Sequence, residues 1–314
     1  MNHEFLHDVL AGLRLPQKEL SPKYFYDAQG SKYFDQICEL EEYYPYRTEL
    51  SLLPEVAREL KQYFMNQSIT GIQLVEFGAG SLRKVKPVLQ ELTMVEEFTA
   101  IDISGEHLKE ASADLEESFP ELPIKAAQGD FTQPIKLALS NATAMGFFPG
   151  STIGNFSPEE ALRFLRNART TLGDGGYLLL GVDTKKDQQM LEAAYNDSQN
   201  ITARFNKNIL IRINRELDAN FQLDQFEHTA IYNQKLGRIE MHLRSLVRQT
   251  VEIAGEDFQF DEGETIHTEN SYKYHPHEFE QLAAEAGWQR EGLWLAQNDI
   301  FSVMLLHNAE QSAG

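Results

Sequence analysis

The sequence of 314 residues contains one cysteine, Cys38. A single cysteine permits no internal disulfide and no cysteine-based metal site. Cys38 lies within FDQICELEE, at an apolar position of a predicted helix. We therefore interpret it as a buried packing residue rather than as a nucleophile.

Long apolar runs and positive charge are also scarce. No run reaches the ~20 residues of a membrane-spanning helix, and the acidic start MNHEFLHDVLAGLRL does not fit a signal peptide. The chain has 28 Lys and Arg against 48 Asp and Glu, a formal net charge of −20. Such a chain repels phosphate backbones and anionic lipids. We expect no nucleic-acid or membrane partner, and a cytoplasmic monomer that acts on a small molecule.

Two histidine pairs could suggest a metal site. His3 and His7 share one face of a predicted helix, and His275 and His277 flank Pro276. A protein metal site needs at least a third ligand, which neither pair has in view. We therefore expect no metal, and we interpret the second pair as the solvated start of a helix.

From residue 72 onward, short apolar strands alternate with helical patterns. The strand-like segments are IQLVEF (72–77), EFTAID (97–102), IKAAQGDF (124–131), ATAMGFFPGS (142–151) and GGYLLLGVD (175–183). This alternation predicts an α/β fold with a parallel, doubly wound sheet. REGLWLA and IFSVMLLH then predict a closing antiparallel hairpin. An antiparallel last strand resembles the seven-stranded, Rossmann-like sheet of class I methyltransferases.

Two further regions do not follow this alternation. Residues 1–60 read as helical pieces, and RIEMHLRSLVRQTVEI (238–253) alternates like an antiparallel strand pair. We predict a cofactor-binding core formed by 61–194 and 271–314. Residues 1–60 and 195–270 would then form a second, substrate-binding lobe.

The motif VEFGAGS follows the first predicted strand and suggests a nucleotide-like ligand. Gly78 and Gly80 let a ligand approach the backbone, and Asp102 ends the second strand, where a carboxylate suits a ribose diol. A dinucleotide fingerprint needs a third glycine, but Arg83 stands at that position. The pattern therefore favours an adenosyl ligand without pyrophosphate, S-adenosylmethionine, with NAD as the competing interpretation.

The third predicted strand adds an adenine-binding candidate. Asp130 and Phe131 follow it directly. The Asp130 carboxylate could accept a hydrogen bond from an adenine amino group, and the Phe131 ring could cover the base.

A series of motifs then carries a family resemblance. In chain order they are SPKYFYDAQGSKYFDQI, EYYPYRTE, GSTIGNFSPEEALRFL, LLLGVDTKKD, AYND, NRELDANFQLDQFEH, RIEMHLRS and TENSYKY. Together they resemble the histidine-specific, S-adenosylmethionine-dependent methyltransferases of ergothioneine biosynthesis, over roughly residues 10 to 307. The resemblance implies methylation of the α-amino group of L-histidine, giving hercynine.

The resemblance also implies roles for single residues of the substrate site. Asn155 matches the residue that orients the substrate amino group, and Tyr195 matches one that holds the carboxylate. Glu269 and Ser271 match the pair that reads the imidazole, because alternate residues of a strand point the same way. Asn270, between them, is a further substrate-binding candidate, although it departs from the apolar residue common in the family.

Six of the 12 tyrosines lie between residues 21 and 49. The resemblance assigns Tyr43 to the substrate site. Tyr43 and Asn155 are the catalytic candidates, and Tyr26 is a further substrate-binding candidate. Lys84 matches a lysine beside the cofactor loop, although Lys86 remains an alternative, since LRKVK departs from the family's usual sequence.

Two other functions stay open at this point. A methyltransferase of the same architecture could act on another amino acid or on a histidine derivative. A regulatory homologue could bind ligands without catalysis.

Overall fold

A computed structural model describes residues 3–103, 105–137 and 141–309, without the side chains of residues 105–107 and 110. The chain forms two compact units. Unit 1 comprises Met1–Tyr44 and Lys186–Ser271, and unit 2 comprises Pro45–Lys185 and Tyr272–Gly314.

The α-helices of the described residues are α1 (His3–Leu13), α2 (Ala28–Cys38), α3 (Tyr44–Asn66), α4 (Val85–Glu91), α5 (Gly105–Ser118), α6 (Pro158–Leu172), α7 (Gln188–Tyr195), α8 (Ile201–Leu217) and α9 (Pro276–Glu285). Short 3₁₀ helices span Pro22–Phe25, Thr152–Asn155, Leu223–Gln225 and Gln297–Asp299. Within the described ranges, none of these helices has the length and apolarity to cross a membrane.

The strands are β1 (Lys18–Glu19), β2 (Ile72–Phe77), β3 (Val95–Asp102), β4 (Ile124–Gln128), β5 (Thr143–Phe148), β6 (Tyr177–Asp183), β7 (Phe226–Asn233), β8 (Arg238–Ser245), β9 (Gln249–Ile253), β10 (Glu256–Phe260), β11 (Thr265–Tyr272), β12 (Gln289–Leu295) and β13 (Phe301–His307).

Unit 2 contains a seven-stranded sheet in the order β12-β13-β6-β5-β2-β3-β4. Strands β2 to β6 pair in parallel, and β13 pairs antiparallel with both β6 and β12. The predicted α/β fold with a closing antiparallel hairpin is therefore confirmed. Because the order reverses next to β2, the loops after β2 and β5 border the crevice in which open sheets bind ligands.

Each face of this sheet carries its own hydrophobic core. Successive residues of β6 point to opposite faces, so Leu179 joins one core and Leu178 and Leu180 join the other. Helices α3 and α4 cover the first face, and helices α6 and α9 cover the second. Burial on both faces explains why the central strands read as continuous apolar runs.

Helix starts in unit 2 follow their sequence signals. Ser157 Oγ accepts a hydrogen bond from the Glu160 N–H, and the Glu160 carboxylate accepts from the Ser157 N–H, which forms a capping box. His275 is the N-cap of α9 and His277 lies in its first turn, both exposed. The interpretation of this pair as a solvated helix start is confirmed.

Unit 1 contains a four-stranded sheet in the order β1-β11-β8-β7 and a separate β9–β10 hairpin. The predicted pairing within residues 238–253 was wrong, because β8 pairs with β7 and β9 pairs with β10. Ala254 and Gly255, both at positive φ, form the two-residue turn between β9 and β10. Such a turn matches strand twist and favours the local hairpin.

The two units can be compared with the predicted segments. The predicted boundary at 60/61 lies inside α3, whereas unit 1 ends at Tyr44, where that helix begins. The boundary within β11, between Ser271 and Tyr272, is one residue from the predicted one. The assignment of one ligand to each segment stays a prediction. Cys38 is buried at the end of α2, as expected.

Candidate active site

Two glycines shape the loop after β2 in unit 2. Gly78 and Gly80 have φ of +67° and +44°, which glycine adopts without strain. A Cβ on Gly78 would lie 3.2 Å from the Phe131 ring, so this ring covers Gly78. Among the residues that the structure describes, a Cβ on Gly80 would meet only the Gly78 carbonyl oxygen, at 3.8 Å. The loop therefore leaves room for a ligand beside Gly80.

Asp102, at the end of β3, borders the same loop. Its Oδ2 accepts a hydrogen bond from the Gly80 N–H at 3.2 Å. Its carbonyl oxygen accepts from the Gly129 N–H at 3.0 Å. The loop after β2 is thus bonded to the Asp102 carboxylate and the end of β4 to the Asp102 backbone, and this carboxylate is the one predicted to bind a ribose diol.

Asp130 and Phe131 occupy the turn after β4. Asp130 Oδ1 accepts hydrogen bonds from the N–H and the hydroxyl of Thr132, at 2.9 and 2.6 Å. The contact of Asp130 with an adenine amino group stays a prediction. The Phe131 ring packs edge-on against Phe148 and Phe164, with centroids 5.6 and 6.1 Å away.

The two candidate lysines have different partners. Lys84 Nζ donates to Glu49 Oε2 at 2.6 Å, and the Gly150 N–H donates to the same oxygen at 2.7 Å. Lys86 instead pairs with Asp114 of α5 at 3.2 Å. Lys84 therefore lies between the β2 loop and the turn after β5, whereas Lys86 contacts a helix.

Glu76, the next-to-last residue of β2, was not predicted as a site residue. Its side chain is 2% exposed, and its Oε2 has no hydrogen-bond partner within the described part of the chain. Burial raises the pKa of Glu76 well above its usual value, and the charges of Glu49 and Asp102 add to this effect, whereas Lys84 opposes it. The sequence signal was present: Glu76 is an acidic residue inside an apolar strand.

These residues fit S-adenosylmethionine. Its sulfonium and ammonium groups are cations, and the unpartnered Glu76 carboxyl oxygen is a buried acceptor for a cation. Its ribose diol fits the Asp102 carboxylate, and the open backbone at Gly80 admits an adenosyl group. Among the described residues, no group of three or more His, Cys, Asp or Glu side chains could hold a metal ion.

Asn155 ends the 3₁₀ helix that follows β5. The chain enters this helix through Gly150 and Ser151, which have φ of +83° and +55°. The Ser151 hydroxyl accepts a hydrogen bond from the Asp183 N–H at 2.9 Å, which anchors the turn to β6. Gly154 is required, because a Cβ there would lie 2.7 Å from the Tyr272 carbonyl oxygen. Within the described ranges the Asn155 amide has no hydrogen bond, so a ligand can use it.

In unit 1, Tyr195 and Ser271 form a buried polar pair. The Tyr195 hydroxyl donates to Ser271 Oγ at 2.9 Å, and the side chains are 7% and 3% exposed. The Tyr43 ring lies 6.0 Å from the Tyr195 ring, nearly perpendicular to it. Burial raises the pKa of Tyr43 well above its usual value, and Tyr195, Cys38 and Glu269 add to the effect. Tyr43 therefore stays a neutral phenol.

Glu269 belongs to the same cluster, because its charge acts on the Tyr43 hydroxyl. It lies two residues before Ser271 on β11, so both side chains are on one face of the strand. Asn270 points to the other face, where its Oδ1 is buried and has no hydrogen-bond partner among the described residues.

Tyr26 completes an aromatic wall. Its ring contacts Phe34 and Phe205, each at 5.7 Å between centroids, and Phe34 lies 6.5 Å from Tyr43. The neighbouring Tyr44 accepts a hydrogen bond at its hydroxyl from Lys186, at 2.7 Å. Tyr43 joins the unit 1 cluster through its ring contacts with Phe34 and Tyr195.

Two side chains hold Tyr195 in place, and the sequence did not reveal either. The Tyr195 carbonyl oxygen lies 2.8 Å from His228 Nε2 on β7. The Asn196 amide donates to the Ala230 carbonyl oxygen and accepts from its N–H, at 2.9 and 3.0 Å. Helix α7 therefore ends against the edge of β7.

The sheet order and the loop after β2 define the class I methyltransferase fold. Residues 5–308 match the family described as histidine-specific methyltransferase, SAM-dependent, and the chain belongs to this family.

Named relatives agree with this assignment. The chain is similar to the histidine N-alpha-methyltransferase of Mycolicibacterium smegmatis, with 39% identity over 95% of this chain and 93% of that protein. The histidine N-alpha-methyltransferase of Mycobacterium tuberculosis is 36% identical over the same shares of the two chains. Ergothioneine biosynthesis protein 1 of Schizosaccharomyces pombe is 26% identical over 85% of this chain, which corresponds to 36% of that longer protein.

Proposed function

We propose that the protein transfers methyl groups from S-adenosylmethionine to the α-amino group of L-histidine. The product is Nα,Nα,Nα-trimethylhistidine, hercynine, and the reaction is a step of ergothioneine biosynthesis. The observation that carries the proposal is the buried Tyr195–Ser271 hydrogen bond with Glu269 on the same strand. The names of the relatives support the substrate and the pathway.

Strand β11 reads the imidazole in this proposal. The Glu269 carboxylate accepts a hydrogen bond from one ring N–H, and the Ser271 hydroxyl serves the other nitrogen. An amino acid without a matching N–H would leave a buried carboxylate unpaired. That penalty discriminates more strongly than pocket size does.

Neutral groups hold the amino-acid end of the substrate. Tyr43 and Tyr195 donate from phenols to the carboxylate, and the raised pKa of Tyr43 keeps it a donor at neutral pH. The Asn155 amide oxygen accepts from the substrate amine and orients its lone pair. These groups do not remove the amine proton, so we assign its loss to water before each transfer.

Unit 2 holds the methyl donor. S-adenosylmethionine supplies a methyl group already activated by its sulfonium, so positioning provides most of the rate. Asp102 binds the ribose, Asp130 and Phe131 the adenine, and the Gly78–Gly80 backbone lies along the adenosyl group. Glu76 and Lys84 bind the charged amino-acid end of S-adenosylmethionine, and we assign this role to Lys84 in preference to Lys86.

The aromatic wall suits the product. Each transfer adds apolar bulk to the amine, and the product carries a permanent positive charge. Tyr26, Phe34 and Tyr43 present ring faces and edges within one cluster, and aromatic rings attract quaternary ammonium groups.

We further propose that the enzyme acts as a monomer in the cytoplasm and needs neither metal nor nucleic acid. The net charge of −20 supports the absence of polyanionic partners. Light scattering coupled to size exclusion tests the monomer, and unchanged activity after dialysis against EDTA tests the absence of a metal.

Mass spectrometry of reactions with separate amino acids tests the function. Histidine should gain one, two and then three methyl groups, with matching release of S-adenosylhomocysteine. Methylation of another amino acid but not of histidine would overturn the substrate assignment. Donor binding without any product would indicate the silent homologue.

A further inference from the structure

Glu49 of α3 is a buried carboxylate that the proposed function does not use. Its side chain is 0% exposed, and one oxygen, Oε2, accepts both the Lys84 ammonium at 2.6 Å and the Gly150 N–H at 2.7 Å. Lys84 ends the loop after β2, and Gly150 starts the turn that leads to Asn155. A single oxygen atom therefore joins the two loops at the carboxyl edge of the sheet.

The second oxygen of Glu49 is confined by the sheet. In residues 3–103, 105–137 and 141–309, Oε1 has no hydrogen-bond partner, and a Cβ on Gly181 of β6 would lie 1.9 Å from it. A buried carboxylate oxygen without a partner destabilises a fold. Apolar side chains of similar volume often replace buried ion pairs without loss of stability. Stability alone therefore does not explain why a carboxylate occupies this position.

We propose that Glu49 is a positioning residue for methyl transfer. It fixes Lys84 at the end of the donor loop and Gly150 in the turn that presents Asn155. The inference deepens the proposed function and rests on it for the roles of Lys84 and Asn155.

The contact with Lys84 controls the donor loop. Lys84 occupies the N-cap position of α4. The contact of its side chain with Glu49 therefore also holds the short segment between Gly80 and the start of this helix. The Tyr46 ring lies 5.0 Å from Lys84 Nζ, on the same first turns of α3 as Glu49. Removal of the Glu49 carboxylate leaves the nearly buried Lys84 ammonium without its counter-ion. The Lys84 side chain then moves toward solvent, and the loop after β2 moves with it.

The contact with Gly150 controls the acceptor side. The Gly150–Ser151 turn has two consecutive residues at positive φ, a strained arrangement for Ser151 that needs external support. The hydrogen bond to Glu49 and the Ser151–Asp183 hydrogen bond supply it. Without the first, Asn155 loses its orientation, which affects the amine more than the rest of the substrate.

The experiment compares E49A and E49Q with E55Q, which removes an exposed charge from the same helix. For E49A we expect at least tenfold weaker binding of S-adenosylhomocysteine by calorimetry. We also expect kcat to fall about a hundredfold, with a change below threefold in KM for histidine. E49Q keeps an acceptor for Gly150 and should lose donor affinity with a smaller loss of kcat. E55Q should match the unaltered protein.

A second variant moves the carboxylate without changing it. In G181A, the added methyl group occupies the place of Glu49 Oε1, so the side chain must shift. G181A should reproduce the loss of donor affinity of E49A. Melting temperatures of all variants establish which are folded, and only folded variants are compared.

The outcomes separate this inference from the proposed function. Unchanged donor affinity and kcat in folded E49A would reduce Glu49 to a structural residue and overturn the inference. An equal rise in KM for histidine and fall in kcat would also contradict it. If the unaltered protein does not methylate histidine, the function fails, whereas the donor-affinity results still judge the role of Glu49.

Discussion

The Tyr195 hydroxyl donates a hydrogen bond to Ser271 Oγ over 2.9 Å, inside unit 1. The bond joins the end of helix α7 to strand β11, and both side chains are buried. The bond fixes the Ser271 hydroxyl beside the end of helix α7. A substrate that binds here replaces or extends this bond rather than meeting unpaired groups.

Tyr195→Phe tests the value of this phenol. The ring fills the same space, but the phenol O–H, which donates to Ser271 in the structure and to the carboxylate in the proposed complex, is lost. Hydrogen bonds to charged groups contribute about 1.5–3 kcal/mol, so we expect KM for histidine to rise about tenfold to a hundredfold. Donor affinity should not change, because Tyr195 belongs to unit 1. Steady-state kinetics and calorimetry with S-adenosylhomocysteine provide the two measurements, and a weaker donor affinity would contradict the assignment.

Glu269→Gln tests the reading of the imidazole. The amide has nearly the shape of the carboxylate but lacks its charge, so the hydrogen bond from the ring N–H is weakened. We expect kcat/KM for histidine to fall about a hundredfold, and discrimination against other amino acids to shrink. Glu262→Gln, which changes an exposed carboxylate just before β11, is the matched control. Unaltered kinetics of Glu269→Gln with histidine would remove the substrate assignment.

The sequence predicted the sheet of unit 2 well because buried parallel strands carry a strong local signal. Strand β2 begins and ends at the predicted residues. The β8 and β9 pairing failed, because alternation gives the strand state but not the partner. The turn at Ala254 and Gly255 decided the partner.

Site residues could be predicted only where the residue type and its place after a strand indicate a function. The glycines after β2 and the carboxylate of Asp102 occupy one loop region, as their order along the chain suggested. Glu49 and Glu76 were missed, because a carboxylate reads as a surface residue until the fold buries it. His228 was missed for a related reason: it contacts the Tyr195 backbone across 33 positions of sequence.

Glu76 predicts a pH dependence of donor binding. The pKa of Glu76 is raised well above its usual value in the protein without ligand, so the group holds its proton at pH values where carboxyls are usually ionised. A cationic donor favours the ionised form, so binding releases a proton. Donor affinity should therefore rise with pH until the raised pKa is passed.

Calorimetry of S-adenosylmethionine binding between pH 5 and 9 measures this slope. In Glu76→Gln the side chain no longer titrates, so affinity should be lower and nearly independent of pH. Proton release can be read from the same titrations repeated in buffers of different ionisation enthalpy. A slope that survives in Glu76→Gln would assign the proton to another group.

His228 predicts an acid sensitivity of unit 1. Its Nε2 lies 2.8 Å from the Tyr195 carbonyl oxygen and its Nδ1 lies 2.9 Å from the Asn206 amide nitrogen. The ring therefore donates at Nε2 and accepts at Nδ1, which is the neutral tautomer. Burial lowers the pKa of His228, and it also lowers the pKa of the stacked His242 and His267.

The sign follows from these lowered pKa values. As the pH falls below about 6.5, these histidines bind protons in the unfolded state before they do so in the folded protein. Proton binding therefore shifts the equilibrium toward the unfolded state. The stability contributed by the neutral rings is complete above about pH 6.5 and is lost as the pH falls. The carboxylates with lowered pKa values, Asp27 and Asp197, lose their contribution only at lower pH, below about 4.

Thermal unfolding between pH 5 and 8 should therefore show a steep loss of melting temperature below about pH 6.5. His228→Gln keeps an N–H donor for the Tyr195 carbonyl and removes the titration, so its melting temperature should fall less over this range. His277→Gln, at an exposed position in the first turn of α9, is the matched control and should follow the unaltered protein. If His228→Gln and His277→Gln lose melting temperature in parallel, the buried ring at 228 does not set the acid limit of unit 1.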